Sequence, residues 1–520
     1  MLTEKKYPED WIAILDLGSS YTQLIARKIR KLKVYSEILP YNVKFARLKR
    51  NTPKGIILTG DLNNRTQEQT NLLDQQIYLL NIPILGIGQG MKLLAQNKGG
   101  KVAYSKKNEF SNTSINILSE GKIDLFFGLP DRINTWMCSD YIIKQIPADL
   151  KITALDEKNN IAAFYNEEWK LYGLQFHPEV SQTDFGNDIL FNFVIKICRC
   201  SPRWTNSVFV NEAIQNIKME VGEGKVVAGI SGGIDSLVAA LLTHRAIGDQ
   251  LHGIFINTGL MRKKEEEEIR ELFHKNFKIN LHIYDYAESF LNSLKGIVDP
   301  EQKRKIIGNL FIKIFEEKAR EIGKVTHLLQ GTLYPDVIES IQIPGATAQV
   351  KSHHNVGGLP EKMGLRLLEP LKHLFKDEVR KIAHILGIPE KIIWRQPFPG
   401  PGLAIRIAGE VNCEKLLILK EADDIIRIMI HRAGMQKELW QYFGILLPVK
   451  SVGIKDNLRT YDYTLVLRIV TSADGMTADW AKIPYDLLDL ISHTIINKVH
   501  GINRVLYDIS SKPPATIEWE

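Results

Sequence analysis

The hexapeptide Ser231-Gly232-Gly233-Ile234-Asp235-Ser236 decides the fold of the central part of this chain. It follows the apolar run Val226-Val227-Ala228-Gly229-Ile230 and precedes Leu237-Val238-Ala239-Ala240-Leu241-Leu242, which has the composition of a buried helix. This order predicts a strand that turns directly into a helix. Glycines let backbone N–H groups approach an anion closely, and a helix N-terminus adds partial positive charge. The hexapeptide is therefore predicted to bind phosphate.

The side chains of the hexapeptide suit a nucleotide triphosphate. Ser231 and Ser236 can donate hydroxyl hydrogen bonds to phosphate oxygens, and Asp235 can hold a magnesium ion that the phosphates carry. No Gly-Lys-Ser/Thr follows the loop, so it is not of the Walker type. The pattern resembles the PP-loop of ATP pyrophosphatases, which cleave ATP between the α and β phosphates. A solvated turn between strand and helix is the alternative.

Composition limits the class of protein. A length of 520 residues predicts three domains. A hydrophobic fraction of 44% with 24% charged residues is typical of globular proteins, and we expect no membrane span and no signal peptide. Four irregularly spaced cysteines predict neither a disulfide scaffold nor a zinc site, which favours a reducing cytoplasm. The net charge of +7 includes no long basic run, so nucleic-acid binding is not indicated.

The predicted fold class is α/β, with two parallel-sheet domains followed by a smaller α+β domain. Residues 1–200 alternate helical stretches with apolar strands. Those strands are at 11–15, 55–58 and 83–87. Residues 204–394 form a second α/β domain that carries the PP-loop. Residues 395–520 form the α+β domain, in which residues 463–470 are rich in β-forming side chains.

Three further stretches are long enough to identify a family. They are Gly331-Thr332-Leu333-Tyr334-Pro335-Asp336-Val337-Ile338-Glu339-Ser340, Lys351-Ser352-His353-His354-Asn355-Val356-Gly357-Gly358-Leu359-Pro360 and Lys512-Pro513-Pro514-Ala515-Thr516-Ile517-Glu518-Trp519-Glu520. With the PP-loop, they resemble the GMP synthetase family, which aminates xanthosine monophosphate (XMP) to GMP. The resemblance implies that an oxygen of the xanthine ring attacks the α-phosphate of ATP. Pyrophosphate leaves, and ammonia then displaces AMP from the adenylyl-XMP intermediate.

The resemblance also implies which residues surround ATP. The PP-loop, Ser231 to Ser236, would hold the departing pyrophosphate with Mg²⁺. Asp336 and Glu339 resemble the carboxylate pair at the amination site, and their spacing puts both on one face of a helix. A surface salt-bridge pair is the alternative.

Two more groups of residues belong to this predicted site. Lys351, His353 and His354 lie in a polar, glycine-bearing stretch that suggests a mobile lid over the nucleotides, the alternative being a solvated loop. Lys376 and Asp377 match a family motif that contacts ATP or the lid, although a charged helix start would look the same.

The C-terminal domain is predicted to bind XMP and to form a homodimer. Arg504 and Lys512 are cations suited to the monophosphate, and Arg304 is assigned to the same site. Glu518 could accept hydrogen bonds from the xanthine N–H groups, and Ile517 could pack on the ring. A solvated C-terminal tail is the alternative.

The first domain resembles class I glutamine amidotransferases but departs from them at the nucleophile. Their pattern Gly-x-Cys-x-Gly reads Gly86-Ile87-Gly88-Gln89-Gly90 here, so Gly88 occupies the nucleophile position without a side chain. An acyl intermediate requires an activated sulfur or oxygen. His177 and Glu179 match the base and its orienting carboxylate, and we expect them to be retained for packing and hydrogen bonding. Glutamine hydrolysis is therefore predicted to be lost.

Further departures agree with that loss. The stretch Thr59-Gly60-Asp61-Leu62 stands where the family has Ser-Gly-Gly-Pro, which supplies the oxyanion hole. Lys92 replaces a glutamine, and Gln89 replaces an aromatic residue. Cys138 could act as a relocated nucleophile, but no elbow sequence surrounds it.

Two hypotheses for the whole chain follow. The first is a ligase that uses ATP, XMP and ammonia, the ammonia being free or supplied by a separate glutaminase. The second is a catalytically silent nucleotide-binding dimer that is kept for regulation or interaction. The complete PP-loop, the carboxylate pair, the lid stretch and the C-terminal motif favour the first.

Overall fold

The computed structural model describes residues 9–60, 73–104, 110–122, 124–138, 141–340, 364–455, 458–472, 475 and 477–520. Contacts divide the chain into two compact units, Met1–Phe209 with Val337–Lys351 and Val210–Asp336 with Ser352–Glu520. The predicted fold class is confirmed. The three predicted domain boundaries stay a prediction.

The first unit contains a nine-stranded sheet. Its strands, with a separate pair β5–β8, are β1 Trp11–Asp16, β2 Tyr35–Pro40, β3 Gly55–Gly60, β4 Ile84–Gly88, β5 Lys101–Tyr104, β6 Phe110–Ile117, β7 Arg132–Cys138, β8 Tyr141–Gln145, β9 Lys151–Asp156, β10 Ile161–Asn166 and β11 Leu171–Leu174. Neighbours run in the order β2-β1-β3-β4-β11-β10-β9-β6-β7. Within this order, β2, β1, β3, β4 and β11 pair parallel to one another, and the remaining neighbours pair antiparallel.

Every residue of β1, β3 and β4 is buried, which is why these strands read as continuous apolar runs. The three strands predicted from sequence correspond to them. The α-helices of this part are α1 Thr22–Lys31, α2 Phe45–Arg50, α3 Gln89–Asn97 and α4 Gly186–Phe191, and α5 Asn206–Val221 begins here and continues into the second unit. Shorter 3₁₀ segments lie at 75–80 and 119–122, and a π-helical segment lies at 192–197.

The second unit begins with a parallel sheet of five strands. They are β12 Lys225–Gly229, β13 Leu251–Asn257, β14 Asn280–Asp285, β15 Val325–Leu329 and β16 Arg366–Leu368. The order is β14-β13-β12-β15-β16. From β12 the chain proceeds outward to β14, then returns to build β15 and β16 on the other side. Such a reversal opens a crevice at the carboxyl ends of β12 and β15, where α/β sheets bind ligands.

Alpha-helices lie between and after these strands along the chain, and the helix that begins at Tyr334 ends in residues assigned to the first unit. They are α6 Ile234–Ile247, α7 Glu265–Glu271, α8 Ala287–Ser293, α9 Pro300–Ile322, α10 Tyr334–Ser340, α11 Lys376–Ile385, α12 Glu390–Ile393, α13 Cys413–Arg432 and α14 Tyr485–Lys498. A π-helical segment lies at 272–277, and 3₁₀ segments lie at 248–250, 402–406 and 435–437.

The last sheet pairs β17 Gln441–Lys455, β18 Leu458–Thr471 and β19 Asp479–Trp480 antiparallel. β20 Ile502–Tyr507 lies parallel beside β18. The β-rich stretch 463–470 falls inside β18, as predicted. One apolar cluster includes Ile254 of β13, Leu419 of α13 and Leu465 of β18. The parallel sheet and the last sheet therefore share a core, which fixes the PP-loop relative to the C-terminus.

Among the residues that the structure describes, no helix is both long and apolar enough to cross a membrane.

Candidate functional site

The PP-loop lies between β12 and α6, as predicted. Ser236 Oγ donates to the carbonyl of Gly233 at 2.9 Å and lies 3.3 Å from Ser231 Oγ. Gly232 has a φ of +73°, and a Cβ there would lie 2.9 Å from Ile269 Cδ1. The positive φ of the turn therefore favours glycine, and a Cβ at this position would also displace the end of the Ile269 side chain.

Two predicted motifs meet the PP-loop. Gly331 follows β15, and a Cβ on it would lie 3.0 Å from backbone atoms of Asp235 and Ser236. A few residues on, the N–H of Tyr334 donates to the carbonyl of Leu374 at 2.9 Å. The motif that contains Gly331 and the motif that contains Lys376 thus lie against each other at the start of α6.

Asp235 and Lys376 form an ion pair at this point. Lys376 Nζ lies 2.8 Å from Asp235 Oδ1 and 2.6 Å from Oδ2, with each side chain about one-third exposed. One turn further along α11, Arg380 faces Asp235 and Asp377. Burial lowers the pKa of Arg380, and the negative charges of these two carboxylates partly offset that effect. Arg395 reaches the carbonyl of Gly232 at 3.4 Å. Three cations therefore border the loop, which suits a polyphosphate.

The other predicted residues of this site are only partly described. Asp336 lies in the first turn of α10, where its Oδ2 accepts a hydrogen bond from the N–H of Leu333 at 2.8 Å. The side chain of Glu339, and all of Lys351, His353 and His354, lie outside the described residues. Asp377 is exposed at the start of α11. The carboxylate of Asp336 therefore caps its own helix in this structure.

The donor set fits a magnesium ion that arrives with a nucleotide rather than a resident ion. The described residues contain no group of three or more His, Cys, Asp or Glu side chains that could hold a metal. Magnesium is commonly held by one or two carboxylates together with substrate phosphates. Asp235 could supply one such carboxylate if it exchanged Lys376 for the ion.

The C-terminal tail, Thr516–Glu520, is anchored by buried cations. Arg406 donates to both carboxylate oxygens of Glu518, at 3.1 Å from Nε and 2.8 Å from Nη2. Gln441 Nε2 adds a third contact to Glu518 at 3.3 Å. Arg406 is fully buried and lies with its Cζ 3.8 Å from the ring centroid of Phe443. A bidentate pair of this kind fixes both the position and the orientation of the carboxylate.

Arg468 and two cations of α9 hold the rest of the tail. The buried guanidinium of Arg468 donates to the carbonyls of Ile517 at 3.3 Å and Thr516 at 2.9 Å. Lys303 contacts the carboxylate of Glu520, and Arg304 donates to the carbonyl of the same residue. The tail is therefore tied into the core by these contacts, which favours a structured tail over the solvated alternative.

The remaining predicted XMP residues occupy different places. Ile517 packs against the cluster of Phe443, Ile445 and Val466. Lys512 Nζ donates to the carbonyl of Gly475 at 2.8 Å. Arg504 is exposed on β20. Three of the five predicted residues thus meet at the tail, namely Arg304, Ile517 and Glu518. The other two lie elsewhere: Lys512 contacts Gly475, and Arg504 lies on the last sheet.

Sequence reasoning missed Arg406, Arg468 and Lys303. The first two interrupt apolar runs, Leu403-Ala404-Ile405 before Arg406 and Leu465-Val466-Leu467 before Arg468. A single charge in such a run indicates a buried charge with a dedicated partner. Lys303 lies among other charged residues of α9, so its burial has no comparable signal in the sequence.

In the first unit, Gly88 ends β4 and begins the turn into α3 with φ of +56° and ψ of −113°. A Cβ on Gly88 would lie 3.4 Å from His177 Nε2. His177 Nδ1 lies 2.7 Å from Glu179 Oε1, and both side chains are buried. The backbone therefore has the shape of an elbow aimed at a His–Glu pair, with no side chain at its tip.

The glycines that flank the elbow are required by packing. A Cβ on Gly90 would lie 2.1 Å from the carbonyl oxygen of Leu58, and one on Gly86 would lie 2.5 Å from the backbone of Met91. By contrast, the space around Gly88 would admit a Cβ at ordinary contact distance. The positive φ of Gly88, and not the space around it, is what opposes a Cβ there.

Two cysteines of the first unit are buried, and their thiols are not activated. Burial raises the pKa of Cys198, and it raises that of Cys200 to about 12, so both thiols stay protonated at neutral pH. Cys413 is exposed in the second unit. Cys138 ends β7, and its side chain lies outside the described residues. Cys138 therefore stays the candidate for a nucleophile at another position.

The two units define a class of protein. An elbow beside a His–Glu pair is joined in one chain to a PP-loop sheet and a tail-anchored α+β part, an arrangement expected of an amidotransferase-like, ATP-dependent ligase. Three protein families match the chain. They are class-I glutamine amidotransferases over residues 13–197, NAD synthase over residues 207–323, and the GMP synthase C-terminal domain over residues 428–519.

Relatives match almost the whole chain. Proteins named glutamine-hydrolysing GMP synthases from Aquifex aeolicus, Halothermothrix orenii and Carboxydothermus hydrogenoformans are 49%, 50% and 51% identical to it. Each match covers 98% of this chain, and 99%, 100% and 99% of the relative. The chain belongs to the GMP synthase family.

The elbow glycines are predicted to differ in what they tolerate. Gly90→Ala should destabilise the first unit by about 3 kcal/mol, because backbone must move to admit its Cβ. Gly88→Ala should cost only about 1–2 kcal/mol, the strain of a non-glycine residue at positive φ. Urea unfolding followed by tryptophan fluorescence measures both. Equal losses for the two variants would contradict the assignment of Gly88 as the open position.

Proposed function

We propose that this chain catalyses the ATP-dependent amination of XMP to GMP through an adenylyl-XMP intermediate and takes ammonia, not glutamine, as the nitrogen donor. The observation that carries the proposal is Gly88, which occupies the elbow tip facing His177 and has no side chain. AMP and pyrophosphate are the other products. The relatives at about 50% identity are named as glutamine-hydrolysing, so the proposal departs from them in the nitrogen donor alone.

The missing nucleophile supports the choice of ammonia. Glutamine hydrolysis through an acyl intermediate requires a sulfur or oxygen at the elbow tip. The His177–Glu179 pair remains buried and hydrogen-bonded, but a general base cannot replace the atom that it would activate. Among the described cysteines of this unit, Cys198 and Cys200 are protonated by burial. The ammonia would be free or would come from a separate glutaminase.

The arrangement around the PP-loop supports the ATP half of the reaction. Adenylyl transfer depends on positioning and on charge neutralisation more than on a protein nucleophile. Lys376, Arg380 and Arg395 supply positive charge beside the loop backbone. A magnesium ion bound by Asp235 and the phosphates would neutralise charge on the leaving pyrophosphate. Lys376 would then be released from Asp235 and could bind a phosphate oxygen.

The tail supports XMP as the acceptor. Glu518 is held in one orientation by Arg406 and Gln441, and oxygen lone pairs that these donors leave could accept from xanthine N–H groups. Ile517 lies beside an apolar cluster that could pack on a ring. Lys512 and Arg304 are cations near either end of the tail. Arg504 is assigned to the phosphate with them.

A homodimer through the C-terminal domain is part of the proposal. Val452, Ile454, Leu458 and Tyr461 lie near the tip of the β17–β18 hairpin, and each is more than half exposed. Val452 pairs with Tyr461 across the ladder, so these two and Ile454 share one face. An exposed apolar face of this kind suits a second copy of the chain. The cytoplasm is the predicted location of the enzyme.

The silent nucleotide-binding dimer is not favoured. A silent protein has no chemical reason to keep the PP-loop, its three flanking cations and the anchored tail together. The relatives that match the full chain are named as enzymes.

We expect ammonium chloride, but not glutamine, to support GMP formation by the purified protein. The physical reason is the absence of a nucleophile at Gly88. GMP and AMP release, measured by chromatography with each donor, decides the matter. Glutamate production from glutamine would overturn the prediction. A Cys138→Ala variant then tells whether that residue has become the nucleophile.

Gly88→Cys alone should restore little glutamine-dependent activity, because Gln89, Lys92 and the altered 59–62 stretch remain.

Asp235→Ala should abolish ammonia-dependent synthesis while the protein stays folded. It removes the carboxylate proposed to hold magnesium, and the side chain is partly exposed, so the cost to stability is small. Asp249→Ala is the matched control, since Asp249 is an exposed aspartate beyond the far end of α6. Near-normal turnover in Asp235→Ala would show that the assignment of this residue is wrong.

Lys512→Ala should raise the XMP concentration required for half-maximal rate by roughly ten- to a hundredfold, since a charged hydrogen bond to phosphate contributes about 1.5–3 kcal/mol. The ATP requirement should barely change. Lys482→Ala is the control, because Lys482 is an exposed lysine that pairs with Asp479 of β19. Deleting the last nine residues should remove XMP binding altogether. Equal weakening for both nucleotides would instead assign the tail a structural role, and sedimentation would show whether the dimer is lost.

A further inference from the structure

A buried carboxylate outside the proposed site is surrounded by arginines that reach that site from two sides. Asp423, on α13, is 1% exposed. Its oxygens lie 3.3 Å from Arg427 Nε, 3.8 Å from Arg262 Nε and 3.9 Å from Arg406 Nη1. Neither oxygen has a hydrogen-bond partner among the described residues. The carboxylate is therefore held by charge among three guanidinium groups without being hydrogen-bonded to any of them.

One of these arginines leads to the PP-loop. The backbone N–H of Arg262 donates to Glu265 Oε2 at 3.0 Å. The other oxygen of Glu265, Oε1, lies 2.8 Å from Arg395 Nη2. Arg395 in turn reaches the carbonyl of Gly232 in the PP-loop at 3.4 Å. Glu265 is buried, so these contacts act with little screening by water.

A second arginine leads to the C-terminal tail. Arg406 uses Nε and Nη2 to bind Glu518, and it presents the remaining Nη1 to Asp423. Its guanidinium is clamped against the ring of Phe443. A displacement of Glu518 would therefore move the same planar group that faces Asp423.

These contacts form one continuous line, which we call the buried charge network. Its members in order are Gly232, Arg395, Glu265, Arg262, Asp423, Arg406 and Glu518. It joins the loop proposed to grip ATP to the residue proposed to bind XMP. Both ends lie in the same compact unit.

The centre of the network can respond to either end. A carboxylate that lies 3.8–3.9 Å from two guanidinium groups would gain a direct hydrogen bond to one of them if that group moved closer by about 1 Å, to the usual 2.7–2.9 Å of charged pairs. Oδ1 of Asp423 faces Arg406 and Oδ2 faces Arg262, so a shift of the carboxylate towards one arginine also changes its distance to the other. Burial makes such a change energetically significant.

We propose that Asp423 is a positioning residue that couples acceptor binding at the tail to ATP binding at the PP-loop. The inference rests on the proposed function, because it assigns XMP and ATP to the two ends. Coupling between two binding equilibria is reciprocal, so each nucleotide must tighten the other by the same factor. Asp423 itself touches neither nucleotide.

Equilibrium titrations of the full-length protein test the proposal. The probes are XMP and a magnesium complex of an ATP analogue whose α and β phosphates are joined by a methylene group, so that no turnover occurs. Calorimetry gives the affinity for each probe with and without the other. In the unmodified protein we expect XMP to tighten analogue binding by at least about fivefold, the lower end of typical coupling.

Asp423→Asn should bring that factor close to one while each nucleotide still binds alone. Asp424→Asn is the matched control, since Asp424 is the next residue of α13, and its loss keeps the charge of Asp423 and changes only Arg427, which lies off the line from Arg262 to Arg406. It should keep the coupling of the unmodified protein. Glu265→Gln should also reduce coupling, because it removes a charge from the network while an amide oxygen can still accept from Arg262. Since both variants interrupt the same network, the double variant Asp423→Asn/Glu265→Gln should lose no more coupling than the more affected single variant.

The outcomes are distinguishable. If the unmodified protein fails to bind XMP or the analogue, the proposed function is overturned. If both bind without coupling, or if Asp423→Asn keeps the full coupling factor, the inference is overturned and the proposed function stands. If Asp423→Asn does not fold, Glu265→Gln decides, and unchanged coupling in that variant overturns the inference.

Discussion

The fully buried guanidinium of Arg406 is the constraint on which the C-terminal half depends. Removing such a charge from water costs several kcal/mol, which is tolerable only when carboxylates and donors are placed around it. Glu518 supplies the close partner, Asp423 the distant one, and Phe443 the face on which the group lies flat. The terminal segment is therefore part of the core, because among the described residues it supplies the closest carboxylate to this buried charge.

In the first unit, the shape of the elbow is maintained by packing contacts rather than by catalytic function. Gly86 and Gly90 allow β4 and α3 to touch neighbouring backbone, so the elbow keeps its form whether or not chemistry takes place at its tip. His177 and Glu179 likewise remain buried together, and replacing either one would leave a polar group without its partner. A shape that persists for these reasons is weak evidence of activity. The presence or absence of a nucleophilic atom at the tip is what separates an active elbow from an inactive one.

Sequence reasoning predicted the parts of the fold in which local pattern and burial agree. The strand-to-helix turn at the PP-loop, the buried strands β1, β3 and β4, and β18 all follow from apolar runs. It did not predict the ion pair of Asp235 with Lys376, 141 residues apart, because such pairing depends on the sheet order. Nor did it find the anchors of the tail. A lone arginine in an apolar run indicates burial, but its partner is known only once the chain has folded.

The positive φ of Gly88 bears on how this family member could change over time. Glycine is at ease in that conformation, whereas any larger residue there carries strain. The step from a nucleophile to glycine therefore relaxes the backbone, and the reverse step would have to restore strain before any catalytic benefit returned. With the 59–62 stretch and Lys92 also altered, a single reversal would meet that cost with little gain. The proposed loss of glutamine hydrolysis would therefore be hard to reverse, and descendants of this chain would more readily change the source of ammonia than rebuild the elbow.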